Sequence, residues 1–286
     1  ENAGRNFNVL LSQVDADRIR AGLPTVAETR EKQEEDPAVL RRVDRYRTRL
    51  GLQTYADMRN PEAVAFELEI CEQQRRDVIM ALGKMAQPNL NVKDALESLS
   101  YLGIPFCIAS TNSRNRVSQA LKSAGLLDWF KPEKVHSGES DFDIPKFKPD
   151  PDVYLHATET EASSPENCIA IEDSTSGIGA AANAGIGMIV GYVGSSHIKE
   201  DMEDHHAFTL LSGLRSKNRI GADIVISDMA SLVSLVTYFK GLQDRQRPFS
   251  FPDAMINQLP GRVWLPSDYE VAKETGELIE VKVPRQ

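Results

Sequence analysis

Two hundred and eighty-six residues leave room for one large domain or two of modest size. Apolar residues at 41 % and charged residues at 26 % are ordinary globular usage, which excludes a disordered chain, a collagen-like fibre and a low-complexity array. Acidic residues outnumber basic ones, 42 to 33, for a formal charge of −9, so no global attraction to nucleic acid or anionic lipid is expected. No run approaches the ~18 apolar residues of a membrane span, and a soluble intracellular protein is expected. The cysteines, Cys71, Cys107 and Cys168, are odd in number and widely spaced. That pattern is neither a disulfide framework nor a zinc motif, and it predicts small buried hydrophobes in a reducing compartment.

Residues 1–90 are predicted to form a helical domain. Phe7, Leu10, Leu11 and Val14 recur at helical spacing, and Gly22 and Pro24 stop that helix. Val39, Leu40, Val43, Tyr46 and Leu50 mark a second segment. A third helix is expected from Ala63 to Leu82. The texture changes near residue 90. Val92–Leu102 predicts a helix closed by Gly103, followed by a buried strand at Ile104–Ala109. Arg116–Leu127 predicts an amphipathic helix. Cys168–Ile171, Met188–Val193 and Ala222–Ser227 predict further strands, with a helix opening at Gly177. This alternation predicts an α/β doubly wound parallel sheet over residues 91–239, with ligands at the carboxyl ends of its strands. In residues 240–286 prolines at 248, 252, 260, 266 and 284 break any long element, and Glu277–Val283 alternates as a strand would. This extension is either a wrapping segment or a docking arm.

Three clusters sit at the predicted strand ends. Ser110, Thr111 and Asn112 offer a hydroxyl and backbone N–H groups at a helix start, an anion site. Lys148, in a proline-framed loop, can meet phosphate as a point charge. Glu172 and Asp173 suit a hard cation such as Mg²⁺. Each cluster alone is commonplace, as a helix cap, a solvated lysine or a capped turn.

In order, Ile108–Thr111, Lys148–Tyr154 and Ile169–Ser174 with Gly177-Ile178 and Ala181–Gly185 resemble motifs two to four of the haloacid dehalogenase (HAD) superfamily. The flavour is that of its β-phosphoglucomutase-like and sugar-phosphate phosphatase branch. The resemblance covers roughly residues 60–235. It implies that residues 1–90 form the cap and that Ser110 binds the transferring phosphoryl group. It implies further that Lys148 stabilises the charge and that Glu172 and Asp173 position Mg²⁺, with Asp173 the better direct ligand. The substrate class implied is a small phosphorylated metabolite.

The family's first motif, an apolar strand ending in Asp-x-Asp-Gly that supplies the nucleophile, does not occur in these 286 residues. Glu1-Asn2 resembles the pair of residues just after that motif in the family. Asp15 and Asp17 have the right spacing, but Arg18 replaces the turn glycine and the flanking residues have helical spacing. They are expected to be ordinary exposed helix residues. Gly177-Ile178-Gly179 superficially fits a dinucleotide fingerprint, but the acidic residue at the end of the next strand is missing. His205-His206 is expected in a solvated surface loop.

Of two functions, the missing nucleophile favours the first. One is a catalytically inactive structural or interaction subunit, with protein partners on the 199–219 insertion and the 240–286 extension. Something would then fill the place of the first strand: Glu277–Val283, a partner chain or upstream residues. With no initiator Met, an organellar setting such as the mitochondrial matrix is an expectation. The other is a Mg²⁺-dependent phosphatase or phosphomutase whose nucleophile strand lies on another segment. A dehalogenase is disfavoured by the Glu172-Asp173 pair.

Overall fold

The computed structural model describes residues 7–29, 37–49, 54, 66–271 and 278–280. Glu1-Asn2, Leu50, Ala63, Glu277 and Val281–Val283 lie outside them, as do the side chains of Phe7, Val39, Leu40, Tyr46, Phe66, Leu68 and Ile70. The chain divides into two compact units, Glu1–Gln87 with Asn115–Leu127, and Pro88–Arg114 with Asp128–Gln286.

The described residues of the first unit are mostly helical. Helix α1 (Phe7–Arg20) ends before Gly22, whose φ of 69° suits only a residue without Cβ strain. Asp15 and Asp17 lie on α1 as expected: Asp15 accepts from the Val26 amide, and exposed Asp17 pairs with Arg20. Arg47, near the end of α2 (Pro37–Arg49), makes a bidentate ion pair at 2.6 Å with Asp77 of α3 (Phe66–Met85).

The second unit is a layered α/β structure. Helix α4 (Val92–Tyr101) closes at Gly103 (φ 65°) and leads to strand β1 (Ile108–Ser110). The strand is shorter than Ile104–Ala109 because Pro105 has no N–H to give a ladder. Helix α5 (Arg114–Ala124) follows; from Asn115 on its residues belong to the first unit. Strand β2 (Val135–Ser137) pairs parallel to β1, with Ala109 opposite His136.

Helix α6 (Asp152–Thr160) leads to β3 (Ile169–Glu172), α7 (Thr175–Asn183), β4 (Met188–Tyr192), α8 (Glu203–Leu211), β5 (Ile224–Ile226), α9 (Leu232–Gly241), α10 (Asp253–Ile256) and β6 (Val263–Trp264). Strands β3, β4 and β5 are parallel neighbours, and β6 pairs antiparallel to β5. Met188, Val190 and Tyr192 pack with Leu235, Phe239 and Ile256 on one face of the sheet. Ile189 and Val225 pack with Ile178, Ala207 and Leu210 on the other. Both faces are covered, which is why these strands read as continuous apolar runs.

Several expectations need correction. Residues 203–211 are helix α8, not a solvated loop. Ala207, Leu210 and Leu211, at i, i+3 and i+4, are buried against the sheet beneath the charged Glu203–His206 turn. The extension and this segment hold each other: Arg262 pairs with Glu203 and Asp204, and the Trp264 indole donates to Asp204 at 2.8 Å. Glu203 and Asp204 are thus engaged within the unit. Strand β8 (Leu278–Glu280) pairs antiparallel to β7 (Tyr269–Val271) and does not fill the place of a further strand beside β1 or β3. Cys107 and Cys168 are half-buried on a cavity wall rather than enclosed in a core.

The parallel ladder has a break. Among the described residues β1 and β2 form one pair and β3–β6 another sheet. A cavity of about 340 Å³ is lined by Cys107 and Ala109 on the β1 side and by Cys168, Ile169 and Ile171 on the β3 side. Leu99 and Val236 bound it from one face of the sheet, Tyr154 and Ala157 from the other.

Candidate active site

The carboxyl ends of β1 and β3 bring the predicted residues together. Lys148 Nζ donates to the Ala109 carbonyl at 2.9 Å and to Glu172 Oε1, and lies 4.8 Å from the centre of the Tyr154 ring. Its side chain is 10 % exposed and that of Glu172 is 9 %. The Tyr154 hydroxyl also donates to Glu172 Oε1. Burial, then the Glu172 charge, pushes the Tyr154 phenol well above its ordinary value, so it stays a donor. Asn183 of α7 holds the Lys148 loop by donating to the Pro149 carbonyl at 3.0 Å.

Glu172 is pressed against the first turn of α7. A Cβ on Gly177 would meet Glu172 Oε2 at 1.8 Å, so glycine is required there for close approach. Gly179 is tight against Arg215 in the same way. Gly177 packs the helix on β3 and Gly179 packs it on the turn after α8, and no nucleotide fingerprint is needed to account for them. Ser174 caps α7, accepting from the Gly177 amide at 3.1 Å.

Asp173 is half-buried, one residue beyond β3. Its Oδ2 accepts from Ser195 Oγ at 3.1 Å. His206 Nε2 lies 2.7 Å from the Asp173 carbonyl, and a carbonyl can only accept, so Nε2 carries the proton. His206, read from the sequence as a solvated residue, is thus a positioning contact for Asp173. The spacing of a helix over 203–211 was the signal that could have placed it.

Ser110 Oγ accepts from the Asn112 amide at 3.1 Å, which leaves the hydroxyl proton free to turn towards an anion. The Asn112 amide is used in this turn, and the Asn112 carbonyl accepts from Ser137 Oγ at 2.7 Å. Thr111 stands between them, half-buried.

The residues fit a Mg²⁺ site with one direct carboxylate. Mg²⁺ takes one or two carboxylates and keeps several waters or phosphate oxygens. Glu172 is already neutralised by Lys148 and Tyr154, whereas Asp173 opens from the strand end with only a hydroxyl on one oxygen.

Residues 13–185 match the family described as haloacid dehalogenase-like hydrolase. The chain is 33 % identical over 88 residues to the 6-phosphogluconate phosphatase of Escherichia coli (strain K12), covering 31 % of this chain and 38 % of that protein. It is 32 % identical over 120 residues to the β-phosphoglucomutase of Bacillus subtilis (strain 168), covering 41 % and 50 %. It thus spans half or less of the length of these relatives. A haloacid dehalogenase-like protein from Agrobacterium tumefaciens (strain C58) superposes with a TM-score of 0.50 at 24 % identity, over 82 % of this chain and 92 % of that one. The match spans more than half of the chain: it belongs to the haloacid dehalogenase-like hydrolase family.

Proposed function

We propose that this protein is a Mg²⁺-dependent phosphatase of small phosphorylated metabolites, phosphorylated sugars foremost. The observation that carries this reading is the convergence of Ser110, Lys148, Glu172 and Asp173 at the carboxyl ends of two parallel strands. Relatives named as a 6-phosphogluconate phosphatase and a β-phosphoglucomutase support it, and nothing in the comparisons favours an inactive subunit.

Ser110 Oγ–H donates to a phosphoryl oxygen. Lys148 has three N–H donors and spends two on Ala109 and Glu172, which leaves one for the anion. Glu172 and Tyr154 hold that ammonium in place before substrate arrives, so no reorganisation is needed at the moment of reaction. Asp173, steadied by Ser195 and His206, would hold Mg²⁺, which neutralises phosphoryl charge when bound. The attacking carboxylate comes from a strand seated between β1 and β3, on polypeptide outside residues 1–286. Residues 1–90 act as the cap that selects the substrate, residues 91–239 as the catalytic core and residues 240–286 as a wrapping extension.

The test is turnover of an aryl phosphate and a panel of sugar phosphates by the protein isolated from its native source, with and without Mg²⁺. Mg²⁺-dependent hydrolysis is expected, lowered about 10²–10³-fold by Asp173→Asn and unchanged by Asp15→Asn. Absence of turnover, or full activity in Asp173→Asn, overturns the reading.

A further inference from the structure

A second group of chemistry-bearing side chains gathers beside the same cavity, away from the phosphate-facing residues. Cys107 leads into β1, His136 is the middle residue of β2, and Glu161 follows the last turn of α6. The register sets His136 opposite Ala109, and Cys107, two residues before Ala109, shares its side of the pair. The thiol sulfur, one imidazole nitrogen and one carboxylate oxygen all lie within 4.8 Å of one another. His136 is 1 % exposed, while Cys107 and Glu161 are half-buried on the cavity wall.

We propose that Cys107, His136 and Glu161 form a binding site for Zn²⁺, with a water as its fourth ligand.

The geometry and donor set favour this ion. Zinc binds Cys sulfur at about 2.3 Å and His nitrogen or carboxylate oxygen at about 2.0–2.2 Å, so neighbouring N and O donors of a tetrahedral site stand roughly 3.3–3.5 Å apart. His136 Nε2 and Glu161 Oε1 are 3.3 Å apart, long for a hydrogen bond and right for that edge. A thiolate and an imidazole select zinc over magnesium. Burial holds the His136 imidazole below its usual value, against the pull of Glu161, so it is neutral and offers a lone pair at neutral pH. Burial pushes the Cys107 thiol up to about 12, so without an ion it keeps its proton. Binding forms the sulfur–metal bond and releases that proton to solvent, which makes loading stronger as pH rises.

A rival set, His136, Asp141 and His156, is equally close-packed. It is the poorer site. Both Asp141 oxygens are taken by the Arg114 guanidinium, at 2.7 and 2.9 Å, and the Ser137 amide donates to Oδ2 at 2.8 Å. Arg114 is further pinned on the Pro132 and Val135 carbonyls, so a dication there would face a fixed positive charge. Glu161 also has a cation, Lys134, but it is a single ammonium on Oε2 and leaves Oε1 for the ion.

The experiment is a Co²⁺ titration of the chelator-treated full chain. Uptake of one equivalent is expected, with a thiolate-to-cobalt charge-transfer band and tetrahedral visible bands, both displaced by Zn²⁺. Cys107→Ser is expected to abolish the charge-transfer band, Glu161→Gln to weaken binding about tenfold or more, and Cys168→Ser to leave the band in place. No stoichiometric uptake, a band that survives Cys107→Ser, or one lost in Cys168→Ser overturns the assignment. If Cys107→Ser does not fold, Glu161→Gln decides alone: unchanged cobalt affinity overturns it.

Discussion

Strands β3 and β4 are hydrogen-bonded neighbours of similar composition, yet their surroundings differ. In β4 Met188, Ile189 and Val190 are wholly buried, with β3 on one edge and β5 on the other. In β3 Ile171, at the same level of the sheet as Val190, is 36 % exposed and looks into the cavity. A parallel strand paired on both edges is sealed by ladders. One paired on a single edge keeps a row of open N–H and C=O groups. What joins the β1 and β3 carboxyl ends across the cavity is a side chain, Lys148, reaching from the Ala109 carbonyl to Glu172. A cation that serves as a tether in the fold is also held where a phosphate could meet it.

Removing that tether is the largest expected effect on stability. Lys148→Met leaves the Glu172 carboxylate buried with only the Tyr154 hydroxyl, and breaking a buried pair from one side costs about 3–5 kcal/mol. Adding Glu172→Gln removes the uncompensated charge, so the double variant is expected to recover most of the loss. Urea denaturation of the two variants checks this. Equal destabilisation by both would mean that Lys148 acts through packing alone.

The contrast between the strands themselves predicts a smaller effect. Ile189→Ala in β4 should cost about 2–5 kcal/mol through lost burial and the cavity left behind. In residues 1–286 on their own, Ile171→Ala in β3 should cost about 1 kcal/mol or less, because much of that side chain faces open space. In the protein from its native source the proposed nucleophile strand covers Ile171, and the two costs should be alike; a cost that stays small there overturns the seating of that strand. Amide hydrogen exchange of β3, slow if a strand is seated there and fast if not, reads the same question independently.

The sheet was legible where both faces are buried. Met188–Val193 stands out as an apolar run because every position on it is buried, and Ile169–Ile171 because its uncovered side chains face the cavity. Strand β2 was not, because His136 and Ser137 look polar until Glu161 and the Asn112 carbonyl are seen to satisfy them. Helix α8 hid behind Glu203–His206, and β6 behind the prolines on either side of it. The phosphate-facing residues were legible because each comes directly after its strand. The Cys107–His136–Glu161 group was not: its members come from three separate elements, and only the β1–β2 register brings Cys107 beside His136.

The smallest effect concerns the opposite end of the sheet. Asp223, just before β5, is buried; its Oδ2 accepts from the Ile189 amide at 2.7 Å and its Oδ1 lies 3.0 Å from Arg247 Nε. Burial raises its carboxyl from about 3.8 to about 6, with Arg247 and the amide opposing that rise only in part. Its folded value lies above its unfolded one, so the native state holds this proton more tightly. The stability it contributes is fully present below about pH 3.8 and is lost as pH rises through about 6. Asp223→Asn stays neutral at every pH and keeps an acceptor for the Ile189 amide. Arg247 keeps the carbonyls of Ile186 and Gly187. Urea midpoints measured from pH 4 to 7 should therefore show the variant gaining on the parent protein as pH rises, with the gain complete just above pH 6. Parallel curves would mean that the Arg247 pair fully offsets the cost of burying the charge, and that the closed end of this sheet is as tolerant of charge as the open cavity between β1 and β3.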